Sequence, residues 1–280
     1  MRVYINPRVE ERFFRGLLWL LTGATVFVLF FIIFYVLKRG LPMISLEFLT
    51  RNPVDMGKAG GIFSTIVGTL ALTLLAVLIG TPLGVGSAIF LSEYTRESWV
   101  TRVIRFGSEC LAGIPSIIFG LFGFILFVTR LRLGWSLLSG GLTLAFMILP
   151  TIIRTSEEAI RSVPASYREV SFSLGGTRWQ TVTKVVLPAA LPGIATGVIL
   201  SVGRSIGETA AVIFTAGSSL HIPTSLFSSS RTMSVHFYIL AREGISMANA
   251  FGTAAVLVIS ILAINLLAYA MMNRFMKRYC

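Results

Sequence analysis

Six long runs without charge constrain this chain more than any other feature: roughly Gly16–Leu37, 59–92, Cys110–Thr129, Leu133–Ile153, Val185–Gly203 and Gly244–Asn273. A helix rises about 1.5 Å per residue, so about 20 apolar residues cross a hydrocarbon core of about 30 Å. Each run reaches that length or close to it. Only 13% of the residues are charged and 55% are hydrophobic, whereas soluble domains carry about 25% charge. The expected fold is therefore an all-α polytopic membrane protein with six transmembrane helices.

The first run follows Arg2, Arg8, Arg12 and Arg15, as a secretory signal would. It exceeds a signal core of about 7 to 15 residues and no small-x-small cleavage site follows it, so it reads as a span. Rich in Leu and Phe, with few small residues, it is expected to be peripheral and lipid-facing. Cys110 and Cys280 are poorly placed to pair, and no disulfide framework is implied.

Lysine and arginine set the orientation. With the N-terminus inside, fifteen of the 24 basic residues fall on the inner side and eight on the outer, Arg204 lying within a span. The positive-inside rule then places both termini in the cytoplasm. The net charge of +12 follows from this bias and from contact with anionic lipid headgroups. Nucleic-acid binding would need a basic patch on a free face and is not expected.

The second span, about Ile62–Leu91, carries Gly68, Gly80, Gly84, Gly86 and Pro82; the third carries GIPSIIFGLFGF, Gly113–Phe124. Small residues allow helices to approach, and breaks at depth are tolerated where protein surrounds them. These spans are expected to be interrupted and to belong to the core. The fourth should end near Pro150 and Arg154, and the Ser-rich segment Gly217–Ser234 should be a solvated outer loop. His221 and His236, placed in that loop without Cys or carboxylate at ligand spacing, suggest no metal site.

Between the fourth and fifth spans lies a polar segment, residues 156–192, which reads as a helical hairpin. SEEAIRSV is one helical piece, stopped by Pro164. A helix over Ala165–Leu174 is closed by Gly175 and Gly176. Thr177 with Gln180 makes a capping box that opens the next helix, and Pro188 and Pro192 are expected to halt it. Short tethers hold this knob at the headgroups, where it can receive force from a peripheral partner.

Glu169-Val170-Ser171, then Gly175, Val185, and Leu187-Pro188 resemble the EAA loop of ABC importer permeases, written E-A-A-x3-G-x9-I-x-L-P. Val170, Ser171 and Val185 depart from the pattern conservatively. The segments AGIPSIIFGLFGFILFV, LPTIIRTSEEAIRSVP and GRSIGETAAVIFTAG are similar to membrane subunits of the high-affinity phosphate importer, from about Gly60 onward, and more to its A-type than to its C-type. The resemblance implies a MetI-like type I permease in the plasma (inner) membrane. Residues 1–61 would hold the first span and an outer loop, 62–271 the permease core with the coupling loop at 156–192, and 272–280 a cytoplasmic tail. It also implies three protein partners: a P-loop ATPase subunit docked on the loop, a second permease subunit, and a periplasmic or lipid-anchored phosphate-binding protein.

The chain has no G-x-x-x-x-G-K-[ST], and Asp55 is its only aspartate. It is expected to hold no cofactor and to catalyse nothing alone, ATP being bound by the partner. Arg204 and Glu208 stand four residues apart in SVGRSIGETAA, a spacing that lets two side chains pair on one helix face. Two readings of the pair stand open: the charges only neutralise each other between helices, or Arg204 meets an oxyanion on the translocation path, with Glu208 tempering it and Ser201, Ser205 and Thr209 adding hydroxyls. A related oxyanion permease is the alternative. An ion-coupled secondary transporter would need several intramembrane carboxylates, and Glu208 is the one deep candidate.

Overall fold

The computed structural model describes residues 7–279; Cys280 and residues 1–6 lie outside the described residues. The chain order is α1 (Pro7–Gly40), α2 (Leu46–Thr50), a small hairpin β1 (Pro53–Val54) and β2 (Ala59–Gly60), α3 (Phe63–Ile89), α4 (Trp99–Ala112), α5 (Ser116–Gly123) and α6 (Leu137–Ser162). Then follow α7 (Ala165–Ser173), α8 (Arg178–Thr181), α9 (Leu187–Gly207), α10 (Ala210–Thr215), α11 (Met233–Arg242) and α12 (Met247–Tyr279). Wide π-helical turns occupy Phe90–Tyr94, Phe124–Arg130 and Val182–Val186.

Five continuous helical segments are long and apolar enough to span, Glu11–Met43, Phe63–Tyr94, Leu137–Ser162, Arg178–Gly207 and Met247–Met272. The sixth expected span is a bent pair, α4 and the segment Ser116–Arg130, meeting at 102°. The third span does not start at Cys110: Gly113 caps α4, and Pro115, extended at φ −58° and ψ 140°, precedes α5. Proline lacks the N–H that would continue α4 and forces Ile114 away from the helical region.

Three expected interruptions are absent. α3 continues through Pro82 and its glycines, two of which face a neighbour rather than a gap: a Cβ on Gly84 would stand 2.7 Å from Ile152 Cγ2, and one on Gly80 3.0 Å from Ile148 Cδ1. α6 passes through Pro150 and continues to Ser162, so SEEAIRSV is its last turns and not a separate piece. The fifth span is continuous across Pro188 and Pro192. A proline in a helix removes one hydrogen bond and its ring crowds the carbonyl four residues back. The π turn at Val182–Val186 lies immediately before Pro188 and widens the backbone where that crowding falls.

The core follows α6. Its Leu144, Met147, Ile148 and Ile152 pack with Leu72 and Ala76 of α3, Phe119 of α5 and Ala211 and Val212 of α10. A second cluster at the far end joins Ala88, Ala159, Ile160, Val163, Val186 and Ala190. α1 is exposed over nearly its whole length and touches the body near its end, where Tyr35 packs edge-on against Phe251 of α12.

Gly217–Ser234 is not a solvated loop throughout. Ser230, Arg231, Thr232 and Ser234 are buried. Carbonyls of Ser228 and Leu226 accept from the N–H groups of Leu137 and Leu138 at 3.0 and 2.9 Å, so the segment satisfies the free donors at the start of α6. Arg231 Nε donates to Ser218 O at 2.9 Å, and its Nη1 lies 3.3 Å from His236 Nδ1. His236 belongs to α11, outside the spans, and is 1% exposed. Burial, and then the Arg231 charge, push its pKa down to about 4.

Candidate coupling and translocation site

The polar segment folds as a knob at the α6 exit. α7 ends at Ser173, Gly175 takes φ +81°, and the reciprocal capping box forms: Thr177 N–H donates to Gln180 Oε1 at 2.9 Å and Gln180 N–H to Thr177 Oγ1 at 3.3 Å. Ser171 and Thr181 hydroxyls meet at 2.8 Å across the turn. Tyr167, Val170, Phe172, Leu174 and Trp179 are exposed, Leu174 by 84%. Tyr167, Val170, Ser171, Leu174, Gly176 and Val185 line one shallow groove. Of the residues singled out in this loop, Val170, Ser171 and Val185 therefore come together. Glu169 is exposed beside them, Gly175 makes the turn, and Leu187 and Pro188 lie further along in α9 without lining the groove.

The knob is anchored by ion pairs that the sequence did not reveal. Arg168 holds Glu93, 75 positions away, with Nη2 at 2.6 Å and Nε at 3.0 Å. Arg105 of α4 reaches Glu157 of α6 at 2.6 Å and Glu97 at 2.7 Å, and Arg161 bridges the same two carboxylates at 3.1 and 3.0 Å. Arg105, first by its hydrogen bond and then by its charge, holds the Glu97 carboxyl below its usual range. The spacing of Glu157 and Arg161 was a readable signal; the long-range pairs left none.

On the fifth span, Gly193 and Gly197 of α9 lie against Ala159 and Thr155 of the antiparallel α6. Seven residues beyond Gly197, about 10 Å along the axis, Arg204 is level with the middle of α6. Its side chain is exposed, and among the described residues it has no ion pair or hydrogen bond. The expected pairing with Glu208 is not made. α9 stops at Gly207, and Glu208 adopts an extended backbone, φ −73° and ψ 130°. Its Oε1 accepts from Thr209 N at 3.2 Å and from Ala211 N at 3.3 Å, at the start of α10. The four-residue rule holds only within an unbroken helix.

The hydroxyls divide as well. Thr209 is half-buried beside the break, but Ser201 and Ser205 are 0% and 3% exposed. Ser201 Oγ donates to Gly197 O at 2.9 Å, and Ser205 Oγ is buried without a partner among the described residues. Both lie where α9 is packed into the protein, so they do not share the open face of Arg204.

Residues 80–279 match the family model described as the binding-protein-dependent transport system inner membrane component. Over 94% of its length the chain is 35% identical to the probable ABC transporter permease protein YqgI of Bacillus subtilis, covering 95% of that protein. It is 34% identical to the phosphate transport system permease protein PstA of Yersinia pestis, over 87% of this chain and 83% of that one. The crystal structure of a bacterial alginate ABC transporter contains a chain that is similar in fold, with a TM-score of 0.66 over 98% of both chains at 17% identity. A polytopic helical body, a polar knob at one end and the family match over most of its length agree: the chain belongs to the inner membrane components of binding-protein-dependent transport systems, the permease subunits of ABC importers.

Proposed function

We propose that this permease carries inorganic phosphate, as the A-type membrane subunit of its importer. The observation that carries the reading is Arg204: an arginine level with mid-span, on an open face, with no partner among the described residues. Facing lipid there costs about 2.5 to 3.5 kcal/mol on the insertion scale. A second permease subunit covering this face would instead enclose Arg204 in a path. Its guanidinium fork matches a tetrahedral oxyanion through two parallel hydrogen bonds. The PstA relatives support phosphate as that anion.

The remaining assignments follow from the same frame. The knob groove takes the ATPase subunit, which holds and hydrolyses ATP, so the groove end faces the cytoplasm with both termini. The opposite end receives a phosphate-loaded binding protein. Glu169, Gly175 and the exposed apolar residues of α7 make the docking face, while Thr209 borders the path beside Arg204.

Reconstituted with its partner subunits in proteoliposomes, Arg204→Gln is expected to abolish phosphate uptake while the complex assembles and its ATPase still responds to the loaded binding protein. Uptake at the wild-type rate would remove Arg204 from the path. Sulfate uptake in preference to phosphate by the wild-type complex would reassign the substrate to another oxyanion.

A further inference from the structure

Arg168 immediately precedes Glu169, yet its side chain does not point to the docking groove. It reaches two separate stretches of chain, one through a carboxylate and one through two backbone carbonyls. Nη2 and Nε hold the Glu93 carboxylate; Nη1 donates to Val163 O at 2.8 Å and Nη2 to Ile160 O at 3.0 Å. Glu93 lies in the π turn Phe90–Tyr94 that continues α3, and Ile160 and Val163 are at the C-terminal end of α6. One guanidinium thus joins the knob to the ends of both central spans.

An exposed ion pair is worth about 0 to 1 kcal/mol and constrains little. This one is largely withdrawn from solvent, with side chains 21% and 11% exposed. Arginine also presents its donors in a fixed planar fork, which cannot satisfy a carboxylate and two carbonyls from another position. A displacement of α7 therefore carries the ends of α3 and α6 with it or breaks all these bonds. Those two helices pack against each other through Gly80 and Gly84, up to the level of Arg204.

We infer that Arg168, through Glu93 and the α6 terminus, is a positioning residue that links movement of the docked knob to the spans, so that ATP hydrolysis drives transport. The inference rests on the proposed docking of an ATPase at the knob. It makes no use of the residues that line the groove.

The test uses the full complex in proteoliposomes, with Glu93→Gln, Arg168→Gln, the double variant and Arg168→Lys. Each single Gln variant is expected to retain the ATPase subunit and hydrolysis within about twofold while the substrate moved per ATP falls about tenfold; the double variant falls no further, because the same contact is lost once. Arg168→Lys, which keeps the charge without the fork, falls between. Hydrolysis and transport declining in proportion, additive losses, or an unchanged ratio would each overturn the inference. A wild-type complex that hydrolyses ATP but moves no phosphate counts against the proposed substrate alone. The link is then read from spin labels at Ser173→Cys and Gly86→Cys, with Cys110 and Cys280 replaced by Ser: their separation stays constant between nucleotide states and varies in Glu93→Gln. A separation that changes in the parent, or stays constant in the variant, sinks the link.

Discussion

Glu208 Oε1 accepts the backbone N–H of Ala211 at 3.3 Å, and this contact commits the carboxylate to the start of α10 rather than to Arg204. Charge neutralisation between the two side chains is then not what holds α9 in place. Combining Arg204→Gln with Glu208→Gln is expected to leave phosphate uptake as low as Arg204→Gln alone. Glu208→Ala, which removes the acceptor, should destabilise by about 0.5 to 2 kcal/mol, the range for lost caps, seen as a lower thermal midpoint; Glu208→Gln retains an acceptor and should be milder. Uptake regained in the double variant would restore the paired-charge reading.

Gly175 has φ +81° with open space where a Cβ would stand, so the objection to a side chain is conformational and not steric crowding by neighbours. Valine there is strained by about 1 to 2 kcal/mol, whereas asparagine visits this region readily. Gly175→Val should reach the membrane at normal levels yet lose ATPase subunit in pull-downs. Gly175→Asn should keep most of it. Equal retention by both would show that the turn does not shape the docking face.

His236 supplies a pH dependence with a defined sign. Its folded pKa, about 4, lies below the ordinary 6.5, so the unfolded chain binds more protons between those values. The stability it contributes is fully present above about pH 6.5 and is lost as pH falls towards 4, on the order of 3 kcal/mol at 1.36 kcal/mol per pH unit. The thermal midpoint of the wild type should drop over that window. His236→Gln, which keeps an acceptor for Arg231 without titrating, should flatten the drop; an equal drop in the variant would place the dependence elsewhere.

Local chemistry was readable in the sequence, and long-range chemistry was not. Thr177 with Gln180, and Gly175 two residues before the cap, are signals contained in a few consecutive residues, and they appear where the pattern puts them. Pro150, Pro188 and Pro192 carry an equally local signal that failed, because neighbouring helices and a wide turn compensate for what proline removes. Arg204 and Glu208 read as a pair only on the assumption that the helix continues through Gly207. The Ser-rich segment read as solvated from its composition, while its burial depends on Arg231 meeting Ser218 and His236. Glu93 and Arg168 are invisible to any window that does not hold both.

The π turn at Val182–Val186 also fixes a phase. Each residue added to or removed from a helix rotates everything beyond it by about 100°, and the wide turn holds one residue more than an α-helical turn over the same rise. The direction in which Arg204 points, relative to the knob on which the chain is anchored, is therefore set by the length of this short segment and not by its side chains. Removal of a single residue there, such as Thr183, would turn the guanidinium off its open face and Val185 out of the groove, while leaving α7 and the turn at Gly175 as they are.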